Sequence, residues 1–429
     1  MNKKLIALAV ASALAAPVIA SAQGTNVTIF GRVQQEYTGV STGNNGGSNG
    51  TGGIGDPAYT GGLNDNARSS RWGLQISEDL GRGLKAIARL EQGINTGSGS
   101  ANTAREQWVG LSSSQWGDVK FGRVQSPFKD FAGGMTIDPF AYTTLQANGA
   151  GGTMTGSANG MGSGANGFVN GAIRFDSIQT DGFSFAGLLM PSDSKGMDPM
   201  VNINQFDVYS NDVGSSAGQT GGKNGEFDGQ AAAKYAGNYM GAAYTVFGGY
   251  SRDNASQAQK LVAGVRTEET WRAGGTLKYD NLSIVGQYER VTNAIGAATC
   301  TAAAALAQPG VGGGQCNSAM NLGGDGNIWH VGTNYQWGNT QLIAQGGATQ
   351  AQATTGVMGT DQVARNSKSF TVGAIHSLSK RTSLFGGYQR VSMGATDTDP
   401  LSAIGYEGTT NSYLTGNRNT WTVGMRHNF

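Results

Sequence analysis

The chain has 429 residues, a net charge of +1, 71 glycines against 8 prolines, and 13% charged side chains. That balance excludes a charge-driven nucleic-acid binder and a highly charged disordered chain, and glycine without a three-residue period excludes collagen. A mean hydropathy of −0.29 and the lack of a helix-spanning apolar run beyond residue 22 leave an exported soluble protein or a β-barrel.

Residues 1–22 read as a secretory signal: Lys3 and Lys4, an apolar run from Leu5 to Ala16, and an Ala20-Ser21-Ala22 cleavage site. The mature chain, 23–429, shows no interdomain linker. Period-two alternation marks sixteen strands, near 27–37, 68–80, 83–94, 104–114, 118–125, 169–177, 183–191, 229–236, 239–252, 267–279, 282–292, 327–337, 340–351, 367–378, 381–391 and 419–429. Within pairs the breaks are tight: Gly81-Arg82, Gln115 to Asp118, Ile178 to Gly182, Gly237-Asn238, Asp280-Asn281, Gly338-Asn339 and Ser379-Lys380. Gly, Asn and Asp recur in them because they tolerate the positive φ of tight hairpins. Between pairs the breaks are long and rich in Gly, Asn, Ser and Thr. Strict alternation of short turns and long loops is the asymmetry of a bacterial transmembrane barrel, all-β and antiparallel, with turns on the periplasmic side.

Alternation also assigns faces. In the first strand Val27, Ile29 and Val33 oppose Phe30, Arg32 and Glu36; in the third, Leu84 and Leu90 oppose Lys85, Arg89 and Glu91. Charge on the lipid face costs a few kcal/mol, roughly 2–4 at mid-bilayer, so the charged stripes face the lumen. The same argument takes Arg71, Arg105, Arg174 and Asp176 inward and leaves Arg123 outward, where a subunit interface suits it better than lipid. Trp116, Tyr279, Tyr335, Trp337 and Phe429 lie near the short turns, where an aromatic girdle belongs. The chain ends Trp421-Thr-Val-Gly-Met-Arg-His-Asn-Phe429, a strand that stops on an aromatic and closes the ring against the first.

Four stretches resemble the general porins of Gram-negative bacteria, especially the β-proteobacterial branch. They are Arg71 to Gly93 (RWGLQISEDLGRGLKAIARLEQG), Arg105 to Leu111 with Gly117 to Arg123, Val27 to Gly31, and Val423 to Phe429. The resemblance is strong at both ends and weakens between about 140 and 330. It implies a sixteen-stranded, water-filled barrel in the outer membrane, assembled as a homotrimer and delivered to the barrel-assembly machinery through its C-terminal strand. It also implies that one extracellular loop, here 126–168, folds into the lumen. An acidic loop side would then face basic wall residues: Arg32, Arg71, Arg89 and Arg105, with Lys85 and Arg174 as further candidates. The loop departs from that pattern, since its acids are only Asp130 and Asp138; Glu36, Glu91 and Asp176 on the wall would supplement them. The resemblance implies passive diffusion of small hydrophilic solutes and ions, and the arginine excess a mild anion preference. A substrate-specific porin and a surface-binding scaffold are the alternatives.

Cys300 and Cys316 bracket an Ala/Gly-rich stretch, and in an oxidising compartment they would form a disulfide that staples a loop. His330, His376 and His427 stand alone, and no phosphate-binding, nucleophile-elbow or metal-ligand motif occurs. No enzyme, cofactor or metal is expected.

Overall fold

The computed structural model describes residues 25–42, 58–64, 69–97, 103–148, 167–190, 228–253, 267–292, 325–352, 367–393 and 416–429. The expected signal segment, 1–22, and the expected Cys300–Cys316 bridge lie outside them. Among the described residues, seventeen strand segments form one antiparallel sheet. The first group is β1 (Asn26–Thr42), β2 (Ala58–Asn64), β3 (Arg71–Gly81), β4 (Leu84–Gly93), β5 (Thr103–Ser113) and β6 (Gly117–Gln125). A one-turn helix, α1 (Pro127–Asp130), and a 3-10 turn, Gly134–Thr136, follow. Next come β7 (Phe168–Ser177), β8 (Phe183–Met190), β9 (Asp228–Tyr239), β10 (Ala242–Asp253), β11 (Glu268–Tyr279) and β12 (Leu282–Thr292). The last five are β13 (Asp325–Trp337), β14 (Thr340–Gln352), β15 (Ser367–Ser377), β16 (Thr382–Met393) and β17 (Gly416–Asn428).

The sheet closes on itself. β17 pairs with β16 on one edge and with β1 on the other, from Arg32 opposite Asn428 to Thr42 opposite Arg418. Phe429 completes the seam by exchanging two 3.1 Å backbone hydrogen bonds with Gly31. A barrel needs this closure because an open edge in lipid would leave unpaired N–H and C=O groups.

Seventeen segments make sixteen barrel positions, because β2 and β3 share one. β3 pairs with β1 along Asn26–Arg32, and β2 pairs with it along Glu36–Thr42. The sequence predicts a first strand ending at 37 and a loop over 58–64. Gly61 and Gly62 weaken its strand signal, and the ladder to β1 overrides composition. At the break, the Ser70 hydroxyl stands in for the missing strand: it accepts from the Gln34 N–H at 2.9 Å and donates to the Gln34 carbonyl at 3.2 Å.

One turn also falls elsewhere than expected. The β9–β10 hairpin turns at Met240-Gly241, three residues after Gly237-Asn238, so Tyr239 ends β9. Both turn residues have positive φ, 48° and 81°, the type I′ geometry that matches strand twist. Gly237 sits instead within the strand, where the Tyr244 ring fills the space a side chain would take.

Outward faces are apolar: Val27, Ile29, Val33, Val109, Phe121, Trp271 and Val331 are all exposed. Near the short turns Trp116, Tyr279, Tyr335, Trp337 and Phe429 are exposed too, as a membrane-interface girdle requires. Inward faces are polar and buried, among them Gln34, Glu36, Glu91, Arg272, Glu289 and Gln389.

Candidate functional site: an arginine cluster and the segment packed opposite it

Residues 126–148 leave β6 and run along inward-facing side chains of the wall. The Phe128 N–H donates to Gln230 Oε1 on β9 at 3.2 Å, and the Gly134 N–H to Gln287 Oε1 on β12 at 2.9 Å. Arg272 on β11 donates to the carbonyls of Phe128 and Ala132, stacks on the Phe128 ring, and pairs with Glu289 at 2.9 Å. Gln345 on β14 and Gln389 on β16 both donate to the Leu145 carbonyl at 3.2 Å. The Thr144 N–H closes the run on Glu36 of β1 at 3.1 Å.

Apolar side chains of the segment sit in glycine sockets on the wall. A Cβ added to Gly249 would lie 2.5 Å from the Phe128 ring, one on Gly373 2.8 Å from Phe140, and one on Gly387 2.8 Å from Leu145. Phe128, Phe140 and Leu145 are fully buried as a result.

Opposite the segment's tip, β1, β3, β4 and β5 carry arginines. Glu91 on β4, 1% exposed, is shared by three of them: Arg71 at 3.4 Å, Arg89 at 2.5 Å, and Arg105 in a shorter contact. Arg89 also reaches Glu106 at 3.2 Å and lies over the Phe30 ring. Arg32 donates to Asn428 Oδ1 at 2.8 Å and makes no ion pair among the described residues; its Nη1 is buried without a hydrogen-bond partner there. With Glu36 on β1, four guanidiniums thus face three carboxylates on this wall.

A β-bulge brings Arg105 in. The sequence reading places Arg105 inward, but strict alternation counted back from the exposed Val109 and Leu111 points it outward, so the inward placement depends on the bulge. The register shifts between Leu90 opposite Gln107 and Gln92 opposite Ala104, so β5 holds one extra residue there and both Arg105 and Glu106 reach inward. A second shift pairs Gly122 with Ala172 and Val124 with Val169, around Gly171 with φ 57°. Beside it Arg123 bonds Asn170 and lies over the Phe168 ring.

The segment meets the arginines with a tyrosine and not with a carboxylate. Tyr142 lies 4.6 Å from Arg71, 5.3 Å from Arg32 and 5.9 Å from Arg105, guanidinium carbon to ring centroid. Its backbone is left-handed, φ 64°, and its carbonyl accepts from Gln34 at 2.8 Å and from Arg426 at 3.1 Å. Asp130 pairs with Arg174 at 2.7 Å, while Arg174 also pairs with Asp176 at 2.7 Å and Asp176 with Lys120 at 2.9 Å. Asp138 accepts from the backbone N–H groups of Phe140 at 3.0 Å and Asn148 at 2.8 Å, and from that of Ala147, so it organises its own segment. Burial pushes the carboxyls of Asp130 and Asp138 up, opposed by Arg174 in the first and His330 in the second. Burial also pulls the Lys129 ammonium down to about 7, helped by the positive Arg105; its Nζ lies 3.6 Å from the Phe168 centroid.

Lys85 is exposed beside the β3–β4 turn and stands away from this network. Sequence reasoning did not single out Arg272, Glu289, Glu106, Lys120, Lys129, Arg426 or Tyr142. Inward parity alone could have flagged Arg272, which follows the exposed Trp271. No three His, Cys, Asp or Glu side chains among the described residues gather into a metal set.

A closed barrel with an apolar outer band, a polar inner wall and a segment laid across that wall defines a pore-type protein of the outer membrane. The chain belongs to the Gram-negative porin family, whose profile matches residues 7–396. It is 40% identical over 91 residues to an outer membrane porin protein of Bordetella pertussis, spanning 20% of this chain and 23% of that one. It is 31% identical over 208 residues to the major outer membrane protein P.IB of Neisseria gonorrhoeae, spanning 46% and 50%. Among solved structures, an anion-selective porin from Comamonas acidovorans superposes with a TM-score of 0.61 at 20% identity, covering 95% of this chain and all of that one. Salmonella typhi OmpF gives 0.58 at 14% identity, covering 95% and 98%.

Proposed function

We propose that the mature chain, 23–429, is a passive diffusion channel for small hydrophilic solutes and ions, mildly favouring anions and working without chemistry or cofactor. Residues 126–168 act as the constricting loop, and the wall from β1 to β5 as its charged counterface. One observation carries the reading: four guanidiniums, Arg32, Arg71, Arg89 and Arg105, face three carboxylates, Glu36, Glu91 and Glu106. That excess leaves the passage beside them positive in a lumen where field lines are confined by low-dielectric walls. Passage follows the solute's gradient, limited by size at the loop and biased by this charge.

We further infer a homotrimer, delivered by its signal and assembled through the Phe429 strand, with a Cys300–Cys316 bridge in an external loop. The trimer form solved for Vibrio cholerae OmpT, similar in fold at a TM-score of 0.52, supports the assembly. The test is conductance of refolded protein in a planar bilayer under a salt gradient. Ohmic steps closing in thirds, with a reversal potential on the anion side, are expected. A folded barrel that passes no current would overturn the channel reading and move attention to a surface-binding role.

A further inference from the structure

The arrangement around Tyr142 has more parts than a positive lumen needs. A guanidinium cluster alone attracts any small anion. Here an aromatic ring lies among three guanidiniums, and its own backbone is fixed in a left-handed conformation that non-glycine residues seldom adopt. Two side chains from the seam of the barrel, Gln34 and Arg426, clamp the Tyr142 carbonyl and hold the ring there. The guanidiniums are not equal. Arg71 and Arg105 share Glu91, whereas Arg32 has no carboxylate among the described residues and keeps a buried Nη1 donor unsatisfied. A buried donor without a partner is costly in a folded protein unless something else satisfies it.

We propose that Arg32, Arg71, Arg105 and Tyr142 form a binding slot for a planar aromatic carboxylate. This rests on the channel reading and names the class of solute that the constriction holds longest. The solute's carboxylate takes the free donor of Arg32 and the outer N–H groups of Arg71, the charge-assisted geometry that guanidinium offers to planar anions. Its ring lies against Tyr142, as offset or edge-to-face aromatic pairs do. Glu91 keeps the slot from being a permanent anion trap, because it already balances part of the charge of Arg71 and Arg105. Binding is therefore weak and reversible, as transit requires.

Two probes of equal charge and similar size separate the slot from plain attraction: benzoate is planar and cyclohexanecarboxylate is not. Titration calorimetry on the refolded, detergent-solubilised full mature chain should give benzoate about fivefold the affinity of cyclohexanecarboxylate, the order expected from one aromatic contact. In a planar bilayer, benzoate should lower the chloride current with a saturable dependence. Tyr142→Asn keeps a residue that tolerates positive φ and removes the ring, so it should equalise the two probes. Arg32→Gln should weaken both together. Heat-modifiable gel mobility and the β-sheet circular dichroism of each variant establish that the barrel has folded. Equal affinity of the native protein for both probes, binding of neither, or an unchanged benzoate preference in Tyr142→Asn would overturn the proposal. Since calorimetry needs no current, a protein that binds benzoate but conducts nothing would refute the channel and leave the slot standing.

Discussion

Glu91 is the side chain whose neutralisation tests the charge argument most directly. In E91Q the carboxylate shared by Arg71, Arg89 and Arg105 becomes an amide of nearly the same shape, and the wall goes from four guanidiniums against three carboxylates to four against two. A unit charge at 4 Å is worth about 1 kcal/mol in water and about 4 kcal/mol at an effective dielectric of 20. The passage is wet, so the lower figure applies: each anion beside the wall gains on the order of fivefold, and each cation loses about as much. The ratio of chloride to potassium permeability should rise several-fold, read from the reversal potential at salt well below 0.1 M, where the screening length exceeds ~10 Å. Removing one member of a buried ionic cluster also destabilises it, by about 3–5 kcal/mol, so urea unfolding should begin earlier. Normal conductance with an unchanged or more cation-favouring reversal potential would refute the reasoning, since it would mean that this wall does not govern the ions that pass.

Two further outcomes follow from the segment opposite. Gly249→Ala places a methyl 2.5 Å from the Phe128 ring and 3.0 Å from the Ala231 carbonyl, and overpacking of this kind costs about 1–3 kcal/mol. If the socket is real, Phe128→Ala should relieve most of that cost in urea unfolding of the double variant, and strictly additive effects would dismiss it. Lys129 supplies a pH dependence: held near 7, it is charged below neutrality and neutral above, so anion preference should fall as pH rises through 7. Its folded value lies below the ordinary 10.5, so protonation opposes folding and stability should rise between pH 7 and 10.5. Lys129→Met should flatten the selectivity profile near pH 7; a profile identical to the native one would assign the change to another group.

The barrel was legible because lipid leaves few options. With one apolar stripe per strand and nowhere for charge on the outside, the alternation of Val27, Ile29 and Val33 with Arg32 and Glu36 fixes the faces of β1 before any contact is known. What escaped the sequence was whatever breaks the period. The bulge at Arg105 and Glu106 turns two neighbours the same way, and only the register with β4 reveals it. The glycine-rich β2 reads as loop until β1 is there to pair with it. The turn at Met240-Gly241 lost to a Gly-Asn pair three residues earlier, because local composition cannot say which of two glycines the strand lengths require. Tyr142 was invisible for a different reason: neither its φ nor the three arginines beside it are neighbours in sequence.

A water-filled barrel has no central core, so a segment laid inside it must find apolar partners on a wall otherwise built for water. The glycines of the inner wall solve this by leaving sockets. Phe128 packs with Trp108, Val124, Val169, Leu188 and Met190; Ala132 and Ile137 with Phe247 and Val285; Phe140 and Leu145 with Ile343. These dry clusters follow the wall from β5 round to β14, and the glycine sockets on β15 and β16 extend that side. The arc from β17 through β1 to β5 carries the arginines instead. The two arcs are coupled where the segment's tip meets β1 and β17: Gln34 and Arg426 hold the Tyr142 carbonyl, and Glu36 takes the Thr144 N–H. Changes in the dry arc therefore act first on how firmly the segment is seated, and changes in the charged arc act first on which solutes pass. A change at Gln34 should do both, since losing its hydrogen bond frees the Tyr142 ring without touching a charge.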